Sequence, residues 1–165
     1  MSDCWVIVAD GALARFMVLE QRTDAPARGA LRLVESVRMS NPDHTVKGRR
    51  DARKIKSGRD TGRGTLAPHG YTDHRDSHES ELLRRFASRI VERAATLVSA
   101  GEASTLVLVA EPRMLGILRA AVAPVARAGL TLRELAHDYT WCSVTQVYRK
   151  LAQNGVLPPA RRAAT

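Results

Sequence analysis

The sequence predicts a single α/β domain in which helices pack against a β-sheet. Three β-rich segments follow one another before residue 41, as in an antiparallel meander. Further on, the uninterrupted apolar run Thr105–Glu111 leads directly into Pro112 and a helical pattern, and a buried strand followed at once by a helix is typical of α/β proteins. With 165 residues, the chain has the length of one domain with a proper hydrophobic core.

The predicted meander begins with a hairpin. Cys4–Ala9 is continuously apolar, Asp10 and Gly11 are turn residues, and Ala14–Gln21 is again β-rich. A third strand is predicted over Ala30–Met39, where side chains of one face alternate with those of the other. This alternation places Leu31, Leu33, Glu35 and Val37 on one face and Arg32, Val34, Ser36 and Arg38 on the other.

A long basic loop, Asn41–Asp76, follows the third strand. It has almost no apolar periodicity, and loops of more than about 15 residues without secondary structure are usually functional or disordered. The chain carries a formal net charge of +9 and has a pI near 10.5, which favours an anionic partner, above all nucleic acid. The predicted phosphate contacts are Lys47, Arg49, Arg50, Arg53, Lys54, Lys56, Arg59 and Arg63, with Gly58, Gly62 and Gly64 allowing close approach of the backbone.

Two interpretations of the basic loop stay open at this point. One is a solvated flexible segment, and the other is an arm that becomes ordered on nucleic acid. The glycine pattern matches neither a P-loop nor a dinucleotide fingerprint. Tyr71 is the one aromatic residue available for stacking in this stretch, so contact with the nucleic-acid backbone is predicted rather than base reading.

Helical periodicity predicts three helices after the loop. The first begins at Asp76, where Asp76–Glu79 has the pattern of a capping box, and it ends at Gly101. The second begins at Pro112, has Gly116 available for close packing on the sheet, is kinked or restarted at Pro124, and is closed by Gly129.

The third predicted helix, Ser143–Gly155, has a serine cap and buries Val147, Tyr148 and Leu151. The domain therefore spans residues 1–155, with the basic loop as an insertion at 41–76. Residues 156–165 are predicted to be a flexible tail.

The segment Leu130–Thr140 fits either an edge strand or a short helix. As a helix, it would complete a helix-turn-helix over residues 132–154. The recognition helix of this DNA-binding alternative would present Thr145, Gln146, Arg149 and Lys150 to a major groove.

Other chemistries have simpler structural explanations. Asp10 with Asp3, Glu20 or Glu111 would suit a metal-dependent nuclease, but Asp10 is explained by a turn and Glu111 by a helix cap. A second group contains residue types that can bind a metal ion, but their spacing matches no familiar metal-binding motif. This group consists of His69, Asp73, His74, Asp76 and His78. No catalytic residue, metal or cofactor is predicted.

The remaining sequence features concern the cellular location. Cys4 and Cys142 lie far apart, as core cysteines of a reducing compartment do. Neither a signal-peptide pattern nor a spanning apolar run is present, so a cytoplasmic location is expected.

Several segments, in order, resemble one bacterial family. They are WVIVADGALARFMVLE, the NPDH at Asn41–His44, the Gly-Arg loop, HESELLRRFA and VLVAEPRMLGILRAAV at Val107–Val122. The family is that of the host attachment protein, or protein required for attachment to host cells, and the resemblance spans about residues 4 to 140. It implies an RNase H-like mixed sheet, with the meander, one or two further strands and three or four helices. It also implies a strand at Leu130–Asp138.

The resemblance further implies a relation to the middle domain of archaeal and eukaryotic class-1 release factors and of Pelota. In release factors, the loop at the position of the basic loop carries Gly-Gly-Gln, which helps to position a water on peptidyl-tRNA. Here the loop has Gly62-Arg63-Gly64 and contains no glutamine, so hydrolysis of that kind is not expected. The sequence thus predicts a non-catalytic RNA-binding protein that associates with the ribosome or tRNA, with DNA binding and host attachment as alternatives.

Overall fold

The computed structural model describes residues 4–22, 30–44 and 71–159, with side chains from residue 76 onward in the last range. These ranges form five strands and three helices. The strands are β1 (Cys4–Ala9), β2 (Leu13–Gln21), β3 (Leu31–Ser40), β4 (Thr105–Ala110) and β5 (Thr131–Ala136). The helices are α1 (Tyr71–Ala100), α2 (Pro112–Val122) and α3 (Val144–Gln153).

All five strands belong to one mixed sheet in the order β3-β2-β1-β4-β5. The meander pairs antiparallel, whereas β4 and β5 continue the sheet parallel to β1. The predicted α/β class, the meander and its two further strands are therefore confirmed. Because β3 runs parallel to β1, four strands end at the same edge, where Ala9, Ala110 and Ala136 lie in register. We call this edge, with the turns and loops that follow the strand ends, the carboxyl edge.

Helices α1 and α2 cover one face of the sheet. Phe86 and Ile90 of α1 and Leu118 of α2 are fully buried in the same cluster as Ile7 and Phe16 of the sheet. The long apolar stripe that predicted α1 is thus the surface that packs on the strands.

Helix α3 covers the opposite face and completes three layers. Val147, Tyr148 and Leu151, the three residues predicted for its inner side, are buried against Val6 and Met17. Since β1 and β4 are covered on both faces, they are apolar throughout, as the sequence indicated.

A β-bulge in β3 corrects the predicted alternation. Phe16 pairs with Val37 and the next residue, Met17, pairs with Glu35, so Ser36 is the extra residue. Beyond the bulge every side chain changes face. Val37 therefore packs with the core under α1, whereas Leu31 and Leu33 pack on the α3 side.

Helix α1 begins at Tyr71, five residues before the predicted start. The capping box predicted at Asp76–Glu79 is wrong because Asp76 already lies inside the helix, and the helix takes up the last part of the predicted loop. The predicted end is confirmed, since the backbone N–H of Gly101 bonds to the carbonyl of Leu97.

Helix α2 also differs from its prediction in two respects. It ends at Val122 rather than near Gly129. A Cβ atom placed on Gly116 would meet nothing within 4 Å, so this glycine does not bring the helix closer to the sheet.

The segment after α2 is a strand, and the helix-turn-helix prediction is therefore wrong. Thr131–Ala136 pairs with β4 residue by residue, which leaves no first helix for such a motif. The strand implied by the family resemblance is present.

The predicted serine cap of α3 is confirmed. The Ser143 hydroxyl accepts from the N–H of Gln146, whose side chain accepts from the N–H of Ser143.

The flexible tail predicted from residue 156 is wrong as far as residue 159. Leu157 is only 4% exposed and belongs to the core cluster under α3. The Tyr148 hydroxyl donates to the carbonyl of Pro158 at 3.0 Å, and Gly155, with φ of +70°, turns the chain back after α3. The rest of the predicted tail, 160–165, lies outside the described residues.

Replacing Leu157 with Ala tests whether this segment stabilises the domain. We expect a loss of about 2–4 kcal/mol in the free energy of unfolding, because a buried leucine leaves a cavity on truncation. Urea unfolding measures the loss as a lower midpoint at an unchanged m-value. The control, Val125→Ala, removes an exposed side chain and should change the midpoint little. An equal midpoint for both variants would restore the flexible-tail prediction.

Candidate functional site

The cations predicted to bind phosphate all belong to the part of the chain between residues 45 and 70. Lys47, Arg49, Arg50, Arg53, Lys54, Lys56, Arg59 and Arg63, together with Gly58, Gly62 and Gly64, therefore lie outside the described residues. The structure does describe where the chain leaves the sheet, at Asn41–His44, and where it returns, at the start of α1. The candidate site is the carboxyl edge, from which the basic loop departs.

Asn41 fixes this point of departure. It is only 8% exposed, and its side-chain amide donates to the carbonyl of Gly11 at 2.8 Å while its backbone N–H donates to the carbonyl of Ala12 at 2.8 Å. Its side-chain oxygen accepts from the N–H of Asp43 at 3.1 Å. The first residues after β3 are therefore held on the turn between β1 and β2.

Asp10 holds that turn from the other side. One carboxylate oxygen accepts from the backbone N–H groups of Ala12 and Leu13, each at 2.7 Å. The other oxygen accepts from the hydroxyl of Thr140 at 3.2 Å. Asp10 is thus the turn residue that the sequence predicted, and it also ties the turn to the loop that follows β5.

Arg15 of β2 is the central group of the edge, although its side chain is buried. Its Nε and Nη2 donate to one carboxylate oxygen of Glu35 at 3.1 and 2.6 Å. Its Nη1 donates to the carbonyl oxygens of Thr140 and Cys142 at 3.1 and 2.6 Å. A buried guanidinium is tolerated only when its donors are satisfied in this way.

Glu35 accepts from two arginines. Its second oxygen accepts from Nε of Arg38 at 2.8 Å, and Arg38 lies beside Arg15 in the sheet. Burial raises the pKa of the Glu35 carboxyl, but the hydrogen bonds and positive charges of Arg15 and Arg38 outweigh burial and hold the pKa below its ordinary value of 4.5. Glu35 is therefore ionised near neutral pH.

The loop from Asp138 to Cys142, which we call the Trp141 loop, crosses the edge between β5 and α3. The single proton of the Thr140 hydroxyl is shared between Asp10 and a carboxylate oxygen of Asp138, which is 2.6 Å away, and the same oxygen of Asp138 accepts from the Thr140 N–H at 3.0 Å. Tyr139 stacks on His137 with ring centroids 5.3 Å apart and carries Lys150 Nζ over its ring at 5.1 Å. Trp141, at the tip, is 74% exposed.

The described carboxylates considered for a metal-dependent nuclease, Asp10, Glu20 and Glu111, each have a structural partner. Glu111 accepts from the N–H of Met114 and caps α2 as predicted, while Glu20 pairs with Arg32 near the opposite end of β2. Asp3 and His69 lie outside the described residues, and Asp76 and His78 are exposed on α1. Within the described ranges, no group of three potential ligands could hold a metal ion.

The sequence argument missed Arg15, Glu35, Thr140 and Trp141. Two of them left a signal. Arg15 interrupts an otherwise apolar strand segment, and Glu35 shares the predicted face of Leu31 and Leu33, so each charge needed a partner. Nothing local marked the contacts that Thr140 makes across the edge, because Asp10 and Arg15 are distant from it in sequence.

The fold and the edge together define a three-layer α/β protein with a polar, hydrogen-bonded carboxyl edge, and the basic residues 47–63 follow this edge in the sequence. The family model described as "Protein required for attachment to host cells" matches residues 5–151, and the chain belongs to this family. No curated protein matches the chain. A solved structure of RuvC from Thermus thermophilus is similar at 13% identity over 97% of this chain and 84% of that chain, with a TM-score of 0.38, too low to support an argument.

In residues 4–22, 30–44 and 71–159, no helix combines the length and the apolar character needed to cross a bilayer.

Glu35→Gln tests the electrostatics of the edge. We expect a loss of about 1–3 kcal/mol in the free energy of unfolding at pH 6, because the buried guanidinium loses its counter-charge. The lowered pKa means that the stabilisation by Glu35 is fully present above about pH 4.5, the ordinary value, and is lost as the pH falls through the folded-state pKa. The difference between variant and wild type should therefore shrink between pH 5 and pH 3 in urea unfolding curves.

The matched control is Glu134→Gln, which removes the same charge from a surface pair with Arg119. Its effect should be smaller and should decrease with added salt, since Arg119 is largely exposed. A difference for Glu35→Gln that stays constant from pH 6 to pH 3 would contradict a lowered pKa.

Proposed function

We propose that this chain is a non-catalytic, cytoplasmic RNA-binding protein that associates with the ribosome or tRNA through the basic loop. The observation that carries the proposal is the concentration of charge. Residues 47–63 contain eight cations and two carboxylates, Asp51 and Asp60, in a chain of net charge +9. Such a segment binds polyanions with release of counterions. Cys4 and Cys142 are not joined in a disulfide, which suits a reducing compartment and so supports the cytoplasmic location.

The described structure supports the proposal through the position of the loop. The basic loop departs from a carboxyl edge fixed by Asn41 and Asp10, and rigid support favours a defined contact surface. The proposal includes the RNase H-like classification and the relation to release factors, which the mixed sheet and the place of the loop between β3 and α1 support. Because the loop contains no glutamine, contact with RNA is proposed without peptidyl-tRNA hydrolysis.

Neutralising four loop arginines tests this proposal. Replacing Arg49, Arg53, Arg59 and Arg63 with Gln should weaken RNA binding and lower the slope of log Kobs against log[salt] by about 3, since each phosphate contact in a single strand contributes about 0.7. Fluorescence anisotropy with labelled tRNA and ribosomal RNA fragments between 50 and 300 mM salt (roughly the range in which such contacts titrate) measures both effects.

A matched variant separates the loop from the total charge. Replacing the exposed arginines of α1, Arg84, Arg85, Arg89 and Arg93, with Gln changes the net charge equally. It should leave most of the salt dependence in place. If both variants lose affinity and slope to the same extent, the loop has no special role, and the proposal fails.

Attachment to host cells is the second candidate function, and the family match favours it. This function requires the protein at the cell surface or in the medium. Fractionation of the producing cells, followed by gradient sedimentation of the lysate with and without RNase, separates the two candidates. Sedimentation with ribosomal particles that RNase abolishes supports RNA binding, whereas recovery from the surface fraction with loss of host-cell binding on deletion of the gene supports attachment.

A further inference from the structure

Helices α1 and α2 enclose a groove on the outer surface of the domain. Its volume is about 400 Å³, which lies in the range of small-ligand sites. We call it the α1–α2 groove, and it is lined by Arg84, Ser88, Arg113, Gly116, Ile117, Ala120 and Ala121. These residues lie outside the basic loop, so the proposed function does not use this surface.

Gly116 has no structural explanation in the helix that carries it. A glycine inside a helix destabilises the helix relative to alanine. Gly116 is not among the glycines with positive φ, and a Cβ atom placed on it would meet nothing within 4 Å. Neither backbone conformation nor close packing therefore requires a glycine here. The missing side chain instead leaves open space in the wall of the groove, and exceptions of this kind to local stability are typical of functional positions.

Two guanidinium groups lie together at one end of the groove. Nη2 of Arg113 donates to the Ser80 hydroxyl at 2.9 Å, and Arg84 follows Ser80 by one turn of α1, so both cations lie at the same end. Nη1 of Arg113 lies 3.5 Å from a carboxylate oxygen of Glu79. Nη1 of Arg84 lies 3.8 Å from one of Glu81. Exposed ion pairs of this length contribute little, so the arginine donors remain available to an anion.

The rest of the groove is apolar. Ile117 and Ala121 are half-buried beside the core, and Ala120 adds a methyl group. The Ser88 hydroxyl donates to the carbonyl of Arg84 at 3.1 Å, so its own helix satisfies it. Among the described residues that line the groove, the charged ones are the two arginines. A complementary ligand is therefore anionic at one end and apolar along the rest.

We propose that the α1–α2 groove binds a medium-chain fatty-acid anion, with the carboxylate between Arg84 and Arg113 and the acyl chain along Gly116 towards Ala121. Planar guanidinium groups match a carboxylate through paired hydrogen bonds. From Arg113 to Ala121, the helix rises about 12 Å. An extended acyl chain advances about 1.25 Å per bond of about 1.5 Å, so roughly eight to ten carbons fill this length. This binding is a second activity beside the proposed contact with RNA, and a helix of a protein partner is the competing occupant.

Titration of the ¹⁵N-labelled full chain, followed by NMR, tests the contact. Decanoate and octanoate have both parts of the ligand, 1-octanol lacks the charge, and acetate lacks the chain. We expect octanoate, with about ten non-hydrogen atoms, to bind with a Kd on the order of 1–10 mM, and decanoate to bind about three- to tenfold more tightly. The amide resonances of Ser88, Gly116 and Ala120 should shift with both fatty acids. Octanoate shifts that acetate or octanol reproduces at equal concentration would overturn the inference, because only one part of the ligand would then be recognised.

The two arginines are tested by neutral variants. Arg84→Gln and Arg113→Gln should each weaken decanoate binding about three- to tenfold, because each removes a charge-assisted hydrogen bond at a partly exposed position. The matched control is Arg89→Gln, which removes an exposed arginine of α1 that does not line the groove. It should leave the affinity unchanged. Equal affinities of Arg89→Gln and Arg113→Gln for decanoate would contradict the placement of the carboxylate.

Filling the groove tests the position of the acyl chain. Gly116→Leu places a side chain in the open space and should weaken decanoate binding about tenfold or more, since it occupies the path of the chain. The variant should stay folded, with an unchanged or higher midpoint in urea, because leucine forms helices more readily than glycine. Ala123→Leu adds the same side chain at an exposed position outside the groove and should bind decanoate as wild type does. Wild-type affinity of Gly116→Leu would overturn the inference.

Failure of this inference differs from failure of the proposed function. If wild type binds neither fatty acid, the site is overturned, and a protein partner becomes the explanation of the groove. Binding of labelled tRNA by Gly116→Leu should equal that of wild type, because the variant leaves the basic residues 47–63 unchanged. A loss of tRNA binding in this variant would overturn the separation of the two activities.

Discussion

The buried guanidinium of Arg15 is the interaction on which the carboxyl edge depends. Transfer of a charge out of water costs several kcal/mol, and it is offset here because four hydrogen bonds, two to a carboxylate and two to carbonyls, satisfy the side chain. Strands β3 and β5 are the two outer strands of the sheet. After β5, the chain must cross the carboxyl edge to reach α3, which packs near β3, and Arg15 holds this crossing at its middle.

The β-bulge at Ser36 explains why Arg15 finds its partners. Without the bulge, Glu35 and Val37 would lie on the same face of the sheet, and Val37 would lie beside the guanidinium of Arg15. The extra residue instead places Val37 in the core beneath α1 and Arg38 next to Arg15. Glu35 then lies between two cations, and their charges outweigh the effect of burial on its pKa. One irregular residue thus serves both the apolar core and the polar edge.

The parts of the fold that the sequence could predict are those with a local signal. The apolar run Cys4–Ala9, the turn residues after it and the alternation of the third segment predicted the meander, and an apolar run followed by proline predicted β4 and α2. The segment TLRELA fits both helical and strand spacing, and only its pairing with β4 decides for a strand. Leu157 comes after Gly155, the predicted end of the third helix, so its return to the core depends on contacts with α3 that no local pattern encodes.

The candidate site also has parts with a local signal in the sequence and parts without one. A run of cations is visible in the sequence alone, and both the loop over residues 45–70 and its contact with RNA stay predictions. Arg15 and Thr140 are 125 residues apart, and a partnership over such a distance leaves only an unexplained charge in the sequence. The oxygens of Asp10 and Glu111 accept from the backbone groups of their own turn and helix, so these carboxylates shape the edge and have less capacity for a metal ion. These side chains therefore hold the edge together, and Arg15 secures the Trp141 loop that crosses it.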